Sequence, residues 1–391
     1  MSILFLYFNI IILIKCQPYL NITKEPDIKY INQTFHSDNS SENKKNIILG
    51  IIEKYSLNTI LPFFKSYIYS EFKNCDLVIF VRNVSTKIIN YLKSIGVIVY
   101  EVPSEYKRIS TINVRWKMYI NYLNENKNKY NLVFSADVRD TYFQKDVFEN
   151  YKNHEPFLGV AIEDYILNDK YDKKWIIDYV GVEKHKIIQH ERIICVGTLW
   201  GTYDKFLEFS IMFWDRLISN PNAIEQGIAN YMFYYEKIFK DYILKSDNFG
   251  PVMTIGVTKR HNLILDSQDN ILNFEGEIAS VIHQYDRKPD IVEKVLRKFC
   301  PEILQPVTNN NKLMNQTSQY IGNISNNYID SVYEYDQIYK KLKKYKFIIY
   351  FLIVLELITL ILLLKMKIHF NRRSGKIVSF KNKKKYKLLM I

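Results

Sequence analysis

Cysteine is scarce in this sequence, with four in 391 residues, at positions 16, 75, 195 and 300. Cys16 borders an N-terminal apolar run, which leaves Cys75, Cys195 and Cys300. Three scattered thiols do not build a disulfide framework, although a single bridge stays open. No Cys/His cluster has zinc spacing and no Gly-rich Walker loop is present, which excludes a zinc module and a P-loop nucleotide site. No internal repeat is evident. Acidic residues are missing from the end of the chain: Lys365 to Ile391 holds ten Lys or Arg and no Asp or Glu. The formal charge of +13 therefore falls to +3 for everything before that tail. A basic chain invites a nucleic-acid reading. Confinement of the charge to the tail argues for no nucleic acid and for contact with anionic lipid headgroups. The abundance of Asn, Ile, Lys and Tyr is what an AT-rich coding sequence produces, and it carries no functional meaning.

Two segments address a membrane. Ile3 to Ile14 is apolar apart from Asn9. It is short for a span of about 20 residues and suits a signal-peptide core. Residues 1–16 are thus expected to be a signal peptide cleaved near Gln17, with an uncleaved N-terminal anchor as the alternative. Phe347 to Leu364 reads FIIYFLIVLELITLILLL, with Glu356 its one charge and basic residues on both flanks. Its length and the lack of an amphipathic face predict a single transmembrane helix over 347–364. The tail 365–391 then stays in the cytosol and the body faces the secretory lumen or the exterior. The expected location is a single-pass membrane protein of the Golgi, endoplasmic reticulum or cell surface. Glycosylation sequons begin at Asn21, Asn32, Asn39, Asn83, Asn315 and Asn323, and five of the six lie in the flanks. Residues 17–45 and 306–346 are polar and aperiodic, and they read as a linker and a stalk.

The body, 46–305, alternates strand and helix patterns. Apolar runs at Asn46–Glu53, Asp76–Arg82, Val97–Val102 and Asn131–Ser135 are strand-like. Helical periodicity occupies Leu57–Phe72, Thr86–Ser94 and Ile112–Asn124 between them. This order predicts a mainly parallel α/β sheet with helices on both faces. Ligands of such sheets bind beyond the carboxyl ends of the strands, so the residues after Asn131–Ser135 draw attention. They are Ala136, Asp137, Val138, Arg139 and Asp140. Two carboxylates at a strand end offer the hard oxygen ligands that Mn²⁺ or Mg²⁺ prefers. Turn formation and helix capping are the ordinary uses of aspartate. Asp169/Asp172 and Asp266/Asp269 share the spacing and are expected in loops.

From about Asn46 to Ile303 the chain resembles the GT-A class of nucleotide-sugar glycosyltransferases. SADVRDTYFQKDVF, from Ser135 to Phe148, resembles the stretch that carries the Asp-X-Asp metal motif of that class. Asp137 serves in either alignment, as the second Asp after Ser135 or as the first of a pair with Asp140. CVGTLWGT (Cys195–Thr202) resembles an Asn-X-Gly segment, with Cys195 in place of Asn. EQGIANY (Glu225–Tyr231) resembles a helical Asp-Gln segment on the acceptor side. VIHQYDRKP (Val281–Pro289) resembles the segment whose His completes the metal shell and whose Lys approaches the diphosphate, here His283 and Lys288 with Arg287 as alternative.

The resemblance implies a GT-A-like Rossmann-type fold and a metal-dependent glycosyltransferase. The implied partners are a UDP- or GDP-sugar donor and a glycan, glycoprotein or glycolipid acceptor. Asp137, Asp140 and His283 would hold the metal. Arg115, Arg139, Arg287 and Lys288 would bind the donor phosphates, because cations stabilise a departing diphosphate. Glu163 and Asp164, which follow the strand-like FLGVAI, join Glu225 and Gln226 as candidates for the acceptor side and general base. Ser135 and Cys195 depart from the class pattern and keep a second reading open, a catalytically inactive membrane glycoprotein of this fold that binds carbohydrate or scaffolds. Stereochemistry of transfer is not written in the sequence.

Overall fold

Strand β1 (Lys45–Glu53) is apolar on both sides because both of its sides are buried. Ile47, Leu49 and Ile51 enter one hydrophobic core, and Ile48 and Ile52 enter another. The period-2 alternation of side chains across a pleated strand makes that division. β2 (Cys75–Arg82) divides likewise, with Val78 and Phe80 in the first core and Leu77, Ile79 and Val81 in the second. The structure, a computed structural model, describes residues 44–304 apart from 153. The expected signal segment 1–16, the stalk 306–346, the span 347–364 and the tail 365–391 lie outside the described residues, as does most of the linker 17–45. Among the described residues, no helix is long and apolar enough to cross a membrane.

The remaining strands of the main sheet are β3 (Ile98–Glu101), β4 (Tyr130–Ala136), β6 (Leu158–Ile166), β7 (Arg192–Thr202) and β8 (Ile243–Ser246), with β5 (Thr141–Phe143) set apart. The seven strands run in the order β3-β2-β1-β4-β7-β6-β8. β1 is parallel to both β2 and β4, β2 to β3, and β6 to β8. β7 is antiparallel to β4 and to β6, with Ala136 opposite Thr198. The sheet is thus mostly parallel, and the long reversed strand threads it beside the end of β4.

Helices α1 (Leu57–Tyr69) and α2 (Thr86–Ser94) cover the second core. Ser56 starts α1 by accepting from the Thr59 N–H, satisfying one donor that the first turn leaves open. α3 (Thr111–Glu125) covers the first core, with α4 (Lys170–Val180), α5 (Val182–Ile188), α6 (Tyr203–Ser219) and α7 (Glu225–Tyr234) following in the chain. Trp116 of α3 packs edge-on against Phe209 and Phe213 of α6, at ring separations of 5.7 and 4.9 Å. Phe209 also stacks on Phe233 of α7 at 5.3 Å. Aromatic rings account for much of the contact that fixes these three helices on the sheet.

A second sheet stands beyond β4. It comprises β5, β9 (Val252–Thr254) and β12 (Val281–His283), in the order β5-β12-β9. The two-residue strands β10 (Ile264–Leu265) and β11 (Ile271–Leu272) pair separately. Helix α8 (Pro289–Phe299) lays Ile291, Val292, Val295, Leu296 and Phe299 over this small sheet, against Tyr142, Met253 and Ile282. Pro289 opens α8 and Arg297 and Lys298 close it, as the helix dipole favours.

Phe209→Ala should destabilise the protein by about 3–5 kcal/mol, the range for emptying a buried aromatic site. Equilibrium denaturation of the purified protein measures it. A loss under about 1 kcal/mol would mean that the ring cluster does not anchor α6.

Candidate metal centre

Asp137 is the first residue past β4. Its N–H donates to the Gly197 carbonyl of β7 at 2.8 Å, which fixes where the chain leaves the sheet. Val138 then folds back onto β1 at Gly50; a Cβ on Gly50 would stand 2.6 Å from Val138 Cγ2. Asp140 ends the turn and β5 begins at once. β12 pairs with β5 antiparallel, with His283 opposite Thr141, and the Gln284 N–H donates to the Asp140 carbonyl at 2.7 Å. This ladder carries His283 from a distant part of the chain to the side of Asp140.

The three side chains converge. His283 Nε2 lies 3.6 Å from Asp140 Oδ1 and 3.8 Å from Asp137 Oδ2. His283 and Asp140 are 1% and 3% exposed, whereas the Asp137 side chain is 38% exposed. One ligand atom from each residue falls within 4.8 Å of the others. Asp140 Oδ1 and His283 Nε2 are buried without a hydrogen-bond partner among the described residues. Such orphaned atoms are costly unless something else satisfies them. Adjacent ligands of an octahedral ion with bonds of about 2.1 Å are about 3 Å apart, so this set suits Mn²⁺ or Mg²⁺ after a slight contraction. Gly197 keeps the space open. A Cβ there would come within 2.3 Å of His283 Cε1 and 2.8 Å of Asp137 Oδ2.

His283 Nδ1 faces the Thr254 hydroxyl at 3.3 Å and the Cys195 sulfur at 3.7 Å. With Nδ1–H donating to Thr254 Oγ1, Nε2 keeps its lone pair for an ion. Burial alone would raise the Asp140 carboxyl, but Arg139 and then His283 outweigh burial and hold it far below the usual carboxylate range. Asp137 is likewise lowered against burial, by Arg115 and His283. Burial disfavours charge on His283, yet the Cys195 sulfur and the two carboxylates raise its pKa well above the ordinary value. Cys195 is itself pushed up to about 11 by burial, so near neutral pH its sulfur is a thiol and the carboxylates carry the effect on the imidazole.

The other sequence candidates separate into two groups. Arg139 donates to Asp140 Oδ2 at 2.9 Å and stands 3.5 Å from Asp286. Arg287 lowers the Asp140 pKa, and Lys288 precedes α8 with its pKa lowered by burial and by Arg287. Glu163 is 4% exposed, and burial raises its carboxyl; Gln284 Nε2 approaches it at 3.5 Å. Arg139, Arg287 and Glu163 therefore border the centre, and Lys288 stands next to Arg287.

Arg115, Glu225 and Asp164 are each engaged by other side chains of the protein. Arg115 is 2% exposed and ties Asp137 Oδ1 to Glu225, with Nη2 donating to Glu225 Oε1 at 2.6 Å. Glu225 takes Trp116 Nε1 on its other oxygen at 3.0 Å. Both carboxylate oxygens are engaged, so Glu225 orients Arg115, and Arg115 orients Asp137. Asp164 accepts from Asn248 and from the Thr258 hydroxyl at 2.6 Å, and pairs with Arg192. It fastens loops together instead of facing the centre. Gln226 lies half-buried at the start of α7.

Sequence reasoning missed Thr254, Gln284, Asp286 and Tyr55, and met Gly197 only as the glycine of the segment that resembles Asn-X-Gly. Tyr55, just after β1, is close enough for Arg139, Asp137 and Asp140 to act on its hydroxyl, whose pKa burial pushes up to about 12. Gln284 adopts a left-handed backbone, φ 60°, a strained conformation for a side chain larger than glycine. No local pattern distinguishes these residues, since their significance comes from the ladders that assemble them.

Two outcomes follow. Gly197→Ala should weaken Mn²⁺ binding by about 10- to 100-fold, the scale at which displaced metal ligands are felt. Calorimetric titration reads this, and unchanged affinity would remove Gly197 from the centre. A metal must also displace the His283 proton. Because that pKa is raised, the protonated form and its ion pairs persist through neutral pH and are lost as pH rises through the folded-state value. Mn²⁺ affinity should therefore increase with pH through the neutral range, by up to tenfold per unit with one proton released, and level off once the raised His283 pKa is passed. Titration in buffers of different ionisation enthalpy measures the proton; a flat profile would place the ion elsewhere.

No family model and no curated protein matches the chain. Solved structures do align with it. An active-site mutant of LgtC shares 12% identity at a TM-score of 0.42, covering 63% of this chain and 94% of that one. A galactosyltransferase LgtC in complex with donor and acceptor sugar analogues shares 13% at 0.40, covering 69% and 99%. A glycosyltransferase involved in glycosylation of the major capsid of PBCV-1 shares 13% at 0.35, covering 65% and 98%. All three of these solved structures are glycosyltransferases.

Proposed function

We propose that the chain is a metal-dependent glycosyltransferase that moves a sugar from a nucleoside-diphosphate donor to a glycan, protein or lipid acceptor. The observation that carries this is the convergence of Asp137, Asp140 and His283, with two buried unsatisfied ligand atoms, beyond the carboxyl end of β4. When bound there, Mn²⁺ or Mg²⁺ supplies Lewis-acid stabilisation of the diphosphate leaving group. Arg139 and Arg287 add fixed positive charge beside it, and Lys288 adds a third cation at the start of α8. Arg115 holds Asp137, the most exposed ligand, in the orientation that faces the donor. Glu163, with its pKa raised by burial, is the group placed to take a proton from an acceptor hydroxyl. The expected lumenal setting, with anchoring by 347–364 and contact of the basic tail with lipid, belongs to the same proposal.

The purified protein should bind and slowly hydrolyse one of the common UDP- or GDP-sugars when Mn²⁺ is present. Asp137→Ala should reduce turnover by about 100-fold or more, comparable to removing a principal electrostatic stabiliser. Failure of the folded protein to bind any of these donors would favour the inactive, carbohydrate-binding reading.

A further inference from the structure

Two aromatic rings stand in solvent on the loops that follow β8 and β11. Phe249 is 55% exposed and Phe274 is 37% exposed. Their centroids are 5.2 Å apart and the rings meet edge to face, at 83°. An edge covers little of the face it meets, so the pair keeps an open aromatic surface.

The framework beneath these rings is polar and buried. The Phe274 N–H donates to the Asn248 carbonyl at 2.8 Å, and Asn273 Nδ2 donates to the Phe249 carbonyl at 3.0 Å. Asn273 Oδ1 accepts from the N–H groups of Glu275 and Glu277. Both asparagines are buried. Asn248 Nδ2 donates to the two carboxylate oxygens of Asp164 at 2.9 and 3.0 Å, and Arg192 joins Asp164 to Asp247. The Phe249 N–H donates to Asp247 Oδ1 at 3.0 Å. Two separate loops are thus locked to each other and to the end of β6. A ligand that meets the rings finds them already ordered, which removes part of the entropic cost of binding.

The rings lie outside the metal centre but near it. Asp164, which holds Asn248, is the neighbour of Glu163, so the Phe249 backbone stands on the order of 10 Å from Glu163. The loop after β9 spans the same interval. Its Thr258 hydroxyl donates to Asp164 at 2.6 Å, while Gly256 abuts Gln284, where an added Cβ would stand 2.1 Å from Gln284 Oε1.

The surroundings select the ligand class. Asp164, Asp247, Glu275 and Glu277 flank the rings, and Arg192 is engaged by the first two. A phosphate or an anionic lipid surface would be repelled here. The two rings expose on the order of 200 Å². That is well below the roughly 800 Å² each partner gives to a stable protein interface. A neutral pyranose fits both limits. Its axial C–H bonds carry partial positive charge toward the negative face of a ring, and its hydroxyls donate to carboxylates. We propose that Phe249 and Phe274 stack an inner ring of an oligosaccharide acceptor whose terminal sugar reaches Glu163. The acceptor is then a glycan chain of two or more sugars and not a single sugar. The part played by Glu163 rests on the transferase reading above.

The test compares wild type, Phe249→Ala and Phe249→Trp as purified full-length proteins with saturating Mn²⁺. Each is titrated by saturation-transfer NMR with the methyl glycosides of glucose, galactose, mannose and N-acetylglucosamine, and with linear trisaccharides of the same four sugars. At least one trisaccharide should bind wild type about 5- to 10-fold more tightly than its methyl glycoside, the scale of one aromatic contact. Phe249→Ala should reduce that advantage to within about twofold, and Phe249→Trp should keep it. Methyl glycoside affinity should be the same in all three proteins. An advantage that is absent from wild type, or that survives Phe249→Ala, would overturn the proposal. So would an equal loss for methyl glycoside and trisaccharide, which marks a merely structural ring. Donor hydrolysis in the same samples judges the transferase reading separately. Hydrolysis without a trisaccharide advantage defeats the stacking site alone, and an advantage without hydrolysis of any donor keeps the stacking site and defeats the transferase reading.

Discussion

Two carboxylates held together in a largely buried site repel one another, and each loses hydration. Asp137 and Asp140 are in that position, and the surrounding architecture answers it with positive charge. Arg115 reaches Asp137 from α3, Arg139 reaches Asp140 from the connecting turn, and His283 arrives from β12 to face both. Each cation is itself anchored. Glu225 and the Val196 carbonyl hold Arg115, Asp286 stands beside Arg139, and Thr254 faces the imidazole. Removing one charge from such a group leaves its partners exposed to the full desolvation penalty. The centre is therefore best regarded as one unit of at least five side chains, within which individual energies do not add.

The two sheets share this task. The main sheet delivers Asp137 at the end of β4, and the reversed strand β7 brings Gly197 against it. The small sheet delivers Asp140 at the start of β5 and His283 at the end of β12. A ligand bound at the triad would bridge the two sheets. The α8 helix backs the small sheet with an apolar stripe, so the position of His283 depends on packing far from the ligands. Rigid elements of this kind hold a metal site more accurately than loops do.

Much of the first half of the fold was legible in the chain. The run IILGII, the motif DLVIFVR and the stretch NLVFS have the apolar continuity of buried parallel strands, and each forms one. The helix expected over 86–94 has those bounds, because Thr86–Ser94 is amphipathic and Gly96 follows with positive φ. Asp137, Asp140 and His283 were also legible as candidates from strand-end position and motif resemblance. Glu225 and Asp172 have contacts that no local pattern announces. One resembles an acceptor-side acid and orients an arginine; the other resembles a loop aspartate and is buried against Gln226.

The sequence by itself determined the alternation of strands and helices, the carboxylate turn after β4, and the separation of a near-neutral body from a basic tail. Those properties depend on period, hydrophobicity and charge within a few neighbouring residues. Only the tertiary structure decided that β7 runs backwards through the sheet, that His283 sits opposite Thr141, and that Thr254, Gly197 and Gln284 surround it. Register between strands distant in sequence is set by which faces must be buried together, and no single segment holds that information.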